Sequence, residues 1–295
     1  FGGVVPSLAS KNHEELNNKV VSLSLKKADV SLDEIDAIAV TQGPGLVGSL
    51  IIGLNYAKGL SIGLDIPIIG INHLEGHLHS GILNYNISYP YLCLLVSGGH
   101  TQIWHVSESN KYLILSTTVD DAAGEAFDKG AKILGLGYPG GPEIEKIAIN
   151  GNCNAYDFTI AKVKSNPLNF SFSGLKTSLL YLVKDINSTE LSLKLPDIAA
   201  SYQECIIDTL LDKVKILHKR YNVNDILVVG GVSCNKRFRD KSNLLSKKLN
   251  SNIIFPEIEY CTDNAAMIAI AGWKKYQNNN ISSIDILPYS SFEYH

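Results

Sequence analysis

His73 and His77 are four residues apart in the stretch Asn72–His79. On an α-helix, side chains at positions i and i+4 differ by only about 40° around the axis, so both imidazoles project from one face. Two neutral imidazoles at this spacing can bind a divalent transition metal and leave positions for a third ligand and a substrate. The spacing therefore predicts a metal site on a helix, and a helix that merely carries histidines on its polar side is the alternative.

Glu75 lies between the two histidines, and its position argues against a metalloprotease of the zincin type. A zincin places its general-base Glu directly after the first His, within reach of the metal-bound water. Glu75 lies about 200° around a helix from either His, so it faces away from anything that they bind, and so does His79. A metalloprotease stays an alternative that this geometry disfavours.

The composition is that of a globular chain, long enough for two domains or one large one. Of the 295 residues, 45% are hydrophobic and 19% are charged. The formal net charge of −3 provides no global attraction to nucleic acid, so any RNA contact must come from a local patch.

The cysteines and the apolar runs predict a cellular location. The five cysteines show no CxxC spacing, which indicates neither a disulfide framework nor a thiolate zinc site. Such usage is typical of a reducing compartment, and we expect a cytoplasmic protein. No apolar run is expected to reach membrane-spanning length, no membrane contact is predicted, and no signal peptide is recognised.

The chain before residue 90 reads as helix, strand, helix, strand, helix. A polar amphipathic helix is predicted to about Ala28, and strands are predicted at Ala37–Val40 and Pro67–Ile71. The glycine-rich turn Gln42–Ser49 lies between the strands, and the second strand leads directly into the histidine helix. This alternation is typical of an α/β fold with parallel strand pairs.

From residue 91 the pattern changes to three short strands close together, at Tyr91–Ser97, Thr101–Val106 and Tyr112–Val119. The tight links between them predict an antiparallel meander. Buried strands at Ile226–Val229 and Ile253–Phe255 follow later, separated by helices. Three antiparallel strands and then alternating helices and strands are the element order of a ribonuclease H-like lobe.

The front part follows the same order with its opening meander absent. We therefore predict an α/β protein of two related lobes, residues 1–89 and 90–295, the first lacking its N-terminal strands. A sheet of two short strands is a poor core by itself. We expect the first lobe to expose strand edges and to be cleaved quickly by proteases, whereas the second should stay folded.

Several local features are predicted from turn and capping residues. Asp120 and Asp121 should cap the helix Ala122–Lys129 that follows them. Tyr138–Pro142 is predicted to be a rigid loop. Thr262-Asp263-Asn264 should cap the last clear helix, and Asp263 is also a candidate third metal ligand, because a carboxylate completes a site with two His ligands.

Two glycine-rich turns are candidate binding sites. The hairpin Leu95–Gln102 exposes backbone N–H groups that could surround a phosphate, although ordinary hairpins are also rich in glycine. Gly230–Asn235 follows a buried strand at its carboxyl end, where α/β sheets bind ligands, and Asn235 is either an N-cap or a partner for a nucleoside. Asp128 lies one turn before a predicted helix end, an unfavourable place for an acid, which suggests a ligand contact such as a ribose hydroxyl; a solvated helix face is the alternative.

Together these stretches resemble one family, the tRNA threonylcarbamoyl-adenosine transferases, or TsaD family, formerly described as glycoproteases (O-sialoglycoprotein endopeptidases). The resemblance runs from Phe1–Pro6 to the last helix. The motifs that carry it are His73–His77, Leu95–Gln102, Asp120–Lys132, Tyr138–Pro142, Phe170–Thr177, Gly230–Asn235 and Cys261–Ile268.

The resemblance implies a two-lobed, actin-like and sugar-kinase-like fold and a metal-dependent acyltransferase. The implied reaction moves threonylcarbamoyl from threonylcarbamoyl-AMP to the N6 amine of the adenosine beside the anticodon, in tRNAs that read codons beginning with A. His73, His77 and Asp263 would bind one divalent metal ion, usually described as iron or zinc. The residues that would bind the donor are Leu95, Val96, Ser97, Gly98, Gly99, Asp128, Gly141 and Asn235.

The resemblance also implies partners: tRNA, a degenerate paralogue called TsaB and a small ATPase called TsaE. Lys236, Arg237, Arg239 and Lys241 form the densest cluster of cations near the expected cleft and are the candidate tRNA-binding patch. The family has an Ile-Glu-Thr-Ser-Cys-Asp-like loop in an N-terminal segment that this sequence does not show. One remaining alternative is therefore an impaired chain that serves only as a partner-binding lobe. Another is a sugar-kinase-like phosphotransferase, which shares the expected fold.

Overall fold

The computed structural model describes residues 5–108, 111–160 and 163–291, so most of the motif Phe1–Pro6 lies outside the described residues. It shows a mixed α/β protein, as predicted, whose chain divides into two compact units. The first unit comprises Phe1–Leu83 and Asn264–His295, and the second comprises Asn84–Asp263.

The first unit contains a parallel sheet of two strands, β1 (Ile38–Gly43) and β2 (Ile68–Asn72). Helix α1 (Pro6–Ala28) and helix α2 (Val47–Leu64) precede the two strands in turn, and α3 (His73–Ser80) follows β2 without a loop. Pro6 begins α1, where a missing N–H group is tolerated. Asp29 and Asp65 end α1 and α2 in the left-handed conformation.

The first unit is completed by the C-terminal part of the chain, which the predicted division at residue 89 assigned to the other lobe. Helix α10 (Ala265–Gln277) packs so closely on β1 that a Cβ atom at Gly272 would come within 2.4 Å of the Ala39 Cβ. Beyond α10, the Ser282 N–H group donates to the Ile68 carbonyl at 3.1 Å. These contacts are long-range, and local sequence patterns contain no signal for them.

The second unit contains a five-stranded mixed sheet in the order β5-β4-β3-β6-β7. Its strands are β3 (Tyr91–Val96), β4 (Thr101–Glu108), β5 (Lys111–Thr117), β6 (Asp225–Val229) and β7 (Asn252–Ile254). The meander β3-β4-β5 is antiparallel, as predicted, and β6 and β7 run parallel to β3. The carboxyl ends of β3 and β6 therefore lie side by side.

Six helices belong to the described part of the second unit: α4 (Ala123–Ile133), α5 (Gly140–Ala148), α6 (Ser173–Val183), α7 (Ser188–Tyr221), α8 (Lys236–Leu249) and α9 (Ile258–Cys261). Apolar side chains of α4 to α8 pack with β3, β4 and β6 into one large core. The sequence prediction missed α5, since Tyr138–Pro142 was expected to be a loop. Helix α5 begins inside that stretch because Pro142 falls in its first turn, where proline is tolerated.

Helix α2 corrects the expectation that no apolar run reaches membrane-spanning length. It has 18 residues and a mean hydropathy of 1.3, which meets the length and composition of a membrane span. Leu54 and Ala57 of this helix pack with Ile68 of β2 in a small core. A single helix of this kind is weak evidence for membrane insertion, because core helices of soluble proteins share its composition.

Candidate functional site

His73 and His77 lie on α3, and the predicted helix is confirmed. Asn72 caps this helix, because its side-chain oxygen accepts a hydrogen bond from the Leu74 N–H group at 2.8 Å. The two imidazole rings have centroids 4.9 Å apart and stand nearly perpendicular, at 88°. His77 is buried and His73 is half-buried, so one ring is held by the protein interior and the other faces outward.

Glu75 faces away from the histidine pair, as helical geometry predicts. Its carboxylate forms an ion pair with the Lys275 ammonium of α10 at 2.9 Å. His79 is buried, and burial lowers its pKa to about 4, so this imidazole is neutral. Neither side chain has the geometry of a zincin base, and the metalloprotease alternative gains no support.

Helix α10 brings the candidate third ligand to α3. A Cβ atom at Gly76 would come within 2.9 Å of Ile268 and 3.2 Å of Met267, so α10 crosses α3 between its two histidines. Asn264 caps α10 by accepting from the Met267 N–H group at 2.9 Å. The predicted capping stretch is thus confirmed at Asn264, the residue next to Asp263.

Asp263 immediately precedes this cap, one helical turn before Met267. The candidate ligand atoms of His73, His77 and Asp263 all lie within 4.8 Å of one another. Two imidazoles and one carboxylate form a donor set that divalent zinc and iron accept, and three protein ligands leave coordination positions open. The residues present therefore fit the metal that the sequence predicted.

The hairpin between β3 and β4 has the tight geometry that was predicted. The Ser97 N–H group donates to the His100 carbonyl at 2.8 Å, and the His100 N–H group donates to the Ser97 hydroxyl at 3.1 Å. Gly98 and Gly99 are exposed at the turn. Leu95 and Val96 are fully buried, so the exposed surface of the hairpin lies at its turn.

Two further backbone segments approach this hairpin at glycines. A Cβ atom at Gly124, in the first turn of α4, would lie 2.6 Å from the Ser97 carbonyl oxygen. Gly230 adopts a positive φ of 93° after β6, and its Cβ atom would lie 2.4 Å from the Val96 carbonyl oxygen. The hairpin, the N-terminus of α4 and the turn after β6 therefore meet at the carboxyl edge of β3 and β6. We call this place the glycine edge.

Asp128 of α4 lies against the N-terminus of α5. Its carboxylate accepts a hydrogen bond from the Gly140 N–H group at 2.7 Å, and a Cβ atom at Gly140 would come within 2.6 Å of the Asp128 Cα. Asp128 lies in the middle of α4 rather than one turn before its end, as was predicted, and the positive end of α5 stabilises its carboxylate. The same contact holds Gly141 beside Asp128, so two predicted donor-binding residues are brought together.

Asn235 is the N-cap of α8. Its side-chain oxygen accepts from the Phe238 N–H group at 2.9 Å, and its amide nitrogen donates to the Gln203 side chain at 2.7 Å. The side chain is 7% exposed. Of the two interpretations of Asn235, the N-cap is confirmed, and the nucleoside contact stays a prediction.

Most of the predicted tRNA-binding patch is engaged inside the protein. Arg237 binds the Glu204 carboxylate through two hydrogen bonds of 2.8 Å, and Lys241 pairs with Glu204 and Asp208. Arg239 donates to the Ser233 carbonyl at 2.8 Å. Three of the four cations therefore have partners within the fold, and the role of this patch in binding tRNA stays a prediction.

The sequence assigned Asp120 to the wrong helix. Helix α4 starts at Ala123 without a side-chain cap, whereas Asp120 accepts from the Phe172 N–H group at 2.7 Å, at the start of α6. Burial raises the pKa of Asp120, but hydrogen bonds from Ser171, Phe172 and Ser173 outweigh it and leave the pKa low. The contact spans 52 residues, so the motif Phe170–Thr177 gained its structural role only in the fold.

Comparisons with known proteins match this chain to one family. The family model of TsaD, tRNA N6-adenosine threonylcarbamoyltransferase, matches residues 1–270. Proteins of that name from Thermosipho melanesiensis and Kosmotoga olearia are both 48% identical to this chain. The alignments cover 98% and 99% of the chain and 87% and 88% of those proteins, respectively.

Solved structures support the fold. Full-length HypF in its phosphate- and nucleotide-bound form superimposes with a TM-score of 0.61 at 12% identity, covering 88% of this chain and 49% of HypF. HypF from T. kodakarensis gives a TM-score of 0.63 at the same identity, covering 88% and 42%. At this identity the likeness concerns the fold alone. The sequence matches are decisive, and the chain belongs to the TsaD family of tRNA N6-adenosine threonylcarbamoyltransferases.

Proposed function

We propose that this chain transfers threonylcarbamoyl from threonylcarbamoyl-AMP to the N6 amine of the adenosine beside the anticodon, in tRNAs that read codons beginning with A. Threonylcarbamoyl transfer to tRNA adenosine is the activity of the family to which the chain belongs. The observation that carries the choice of donor is the glycine edge, because its exposed turn at Gly98 and Gly99 presents backbone N–H groups that favour a phosphate.

The glycine edge would receive the AMP part of the donor. A mixed carbamic–phosphoric anhydride leaves AMP behind, so a phosphate gains charge as the acyl bond breaks. Backbone N–H groups of Gly98 and Gly99, which lie exposed at the turn, are suited to stabilise that charge without reorganisation. Asp128 and Gly141, which the fold brings together, would accept the ribose, and Asn235 would complete the pocket.

His73, His77 and Asp263 would hold one divalent metal ion, iron or zinc. The support is the donor set itself, with three ligand atoms within 4.8 Å of one another. When bound, such an ion supplies Lewis-acid polarisation of the donor. No side chain is assigned as a general base, since an aromatic amine that attacks an activated carbonyl needs mainly correct positioning.

The protein partner TsaB would bind the outer face of α1 and α2. Leu16, Val20 and Leu23 of α1 are 48–55% exposed, and they share one helix face with three- and four-residue spacing. Ile51 of α2 is another exposed apolar residue, with 40% of its surface accessible. A continuous apolar stripe of this kind is typical of a protein interface. TsaE, a cytoplasmic location and the two-lobed actin-like arrangement belong to the same proposal, supported by family membership and by the two compact units.

The experiment is transfer of labelled threonylcarbamoyl from its adenylate to tRNA, with and without TsaB and TsaE, alongside elemental analysis of the purified protein. We expect label on tRNA and one metal ion per chain. The variants His73→Ala and His77→Ala should each lose the metal while circular dichroism stays unchanged, because each removes only a ligand.

The matched control is Glu75→Gln, on the same helix and facing Lys275. It should keep the metal and most of the transfer activity. If Glu75→Gln loses as much metal and activity as His77→Ala, the assignment is contradicted and the protease-like interpretation becomes the better one.

A further inference from the structure

We infer that Gln203 is a positioning residue for the donor: it holds the amide of Asn235 in the one orientation that can bind the nucleotide. This inference rests on the proposed role of Asn235 in donor binding. Gln203 lies on α7, is 5% exposed, and was not singled out by any sequence motif.

The hydrogen-bond network determines how the Asn235 amide is turned. Its oxygen must accept, because the N–H group of Phe238 at the start of α8 can only donate, and that bond is 2.9 Å long. Its nitrogen must therefore donate, and the group 2.7 Å away must present an oxygen, which is the Oε1 atom of Gln203. The assignment of both amides follows from the fixed donor of the helix.

The arrangement leaves Asn235 with a defined capacity for a ligand. Its amide has two hydrogens, and Gln203 accepts one of them, so the second is the one that can reach an oxygen atom of a bound nucleotide. Without an acceptor at residue 203, a buried N–H group would be unsatisfied, and the amide would turn or recruit water to recover a hydrogen bond. Either response would remove the preorganised donor.

The neighbours of Gln203 fix α7 against the other parts of the site. The Tyr202 hydroxyl donates to the Ala126 carbonyl of α4 at 2.8 Å, and the Glu204 carboxylate pairs with Arg237 of α8. Successive helical residues point about 100° apart, so these three side chains reach three different directions. Helix α7 thereby connects α4, which carries Asp128, with α8, which begins after Asn235. Of the three α7 side chains, Gln203 is the one that contacts a proposed donor-binding residue.

The test compares Gln203→Met with Gln203→Glu. Methionine has similar volume but no acceptor, whereas glutamate keeps an oxygen that accepts from Asn235 whether it is ionised or neutral. We expect Gln203→Met to raise the KM for threonylcarbamoyl-AMP and the Kd for AMP about tenfold, the loss of one buried hydrogen bond. The KM for tRNA and kcat should stay near their wild-type values, and Gln203→Glu should restore donor affinity.

Thr209→Val is the matched control on the same helix. It removes the hydrogen bond from the Thr209 hydroxyl to the Cys205 carbonyl, 2.8 Å long, without touching the site, and it should leave both constants unchanged. If Gln203→Met does not fold, Gln203→Ala replaces it with the same expectations. If Gln203→Met lowers kcat and thermal stability and raises the KM for both substrates, and Gln203→Glu restores none of them, the role of Gln203 is purely structural and the inference is overturned.

Asn235→Ala separates this inference from the proposed function. If Asn235→Ala leaves AMP affinity unchanged, the proposed donor contact fails and the inference fails with it. If Asn235→Ala weakens AMP binding and Gln203→Met does not, only the role of Gln203 is overturned. Calorimetry with AMP and the full chain provides the affinity without depending on turnover.

Discussion

The two compact units differ in how much of their apolar surface they bury. In the second unit five strands and the described helices share one large core, and Leu92, Leu94 and Val96 of β3 are fully buried. In the first unit a two-stranded sheet supports two small cores. Among residues 6–28, which the structure describes throughout, no side chain of α1 is buried.

This difference shows that the two candidate sites are held in different ways. The glycine edge lies on a sheet whose core resists local unfolding, so its backbone groups are preorganised. The histidine pair depends on α10, which approaches α3 closely at Gly76 and approaches β1 closely at Gly272. We therefore expect mutations to affect the second unit through its core and the first unit through α10.

Leu94→Ala should produce the largest loss of stability. Leu94 lies on the central strand β3 and is fully buried, so its truncation leaves a cavity and should reduce the free energy of unfolding by about 2–5 kcal/mol. Leu23→Ala on α1 removes the same atoms from a side chain that is 55% exposed, and the loss should be below about 0.5 kcal/mol. Urea unfolding measures both, and equal losses would contradict the comparison.

Gly272→Val should destabilise the first unit selectively. Its added Cβ atom would collide with Ala39 and push α10 off β1, at a cost of about 1–3 kcal/mol. Hydrogen exchange should become faster in β1 and β2 and stay unchanged in β3 and β6. Gly53→Ala on α2 is the control: nothing lies within 4 Å of its added Cβ atom, so it should not destabilise the unit. Uniform exchange changes in both units would argue that they unfold together.

Glu204→Gln should have a smaller effect that depends on pH. Burial raises the pKa of Glu204, but hydrogen bonds and charge from Arg237 and Lys241 outweigh it, so the folded pKa lies below the ordinary value of 4.5. A lowered pKa stabilises the fold above pH 4.5, and this contribution disappears as the pH falls through the folded pKa. The variant should lose roughly 1 kcal/mol at pH 7, since Arg237 is partly exposed, and should approach the wild type in acid. Thermal unfolding at pH 7 and pH 3 measures the difference, and an equal loss at both would contradict it.

The double variant Leu16→Glu, Val20→Glu should change stability least. Both side chains are about half exposed, so the free energy of unfolding should shift by no more than about 0.5 kcal/mol. Binding to TsaB, measured by sedimentation, should nevertheless be lost, because two charges would enter an apolar interface. Retained binding would place the partner on another surface.

Local sequence determined much of the histidine site. The spacing of His73 and His77 and the opposite direction of Glu75 follow from helical geometry over a few residues, and the structure shows both. The meander β3-β4-β5 and the turn after β6 were also predictable, since strand alternation and glycine turns are local signals.

Only the tertiary structure decided which distant segments meet. It assigned α10 to the first unit, moved the Asp120 carboxylate to α6, began α5 at Gly140 beside Asp128, and placed Gln203 against Asn235. It also paired Arg237 and Lys241 with Glu204, so a carboxylate lies beside two of the cations that the sequence offered for RNA. Each of these results is a contact between residues far apart in the chain, and such contacts depend on packing and charge compensation that no local pattern encodes.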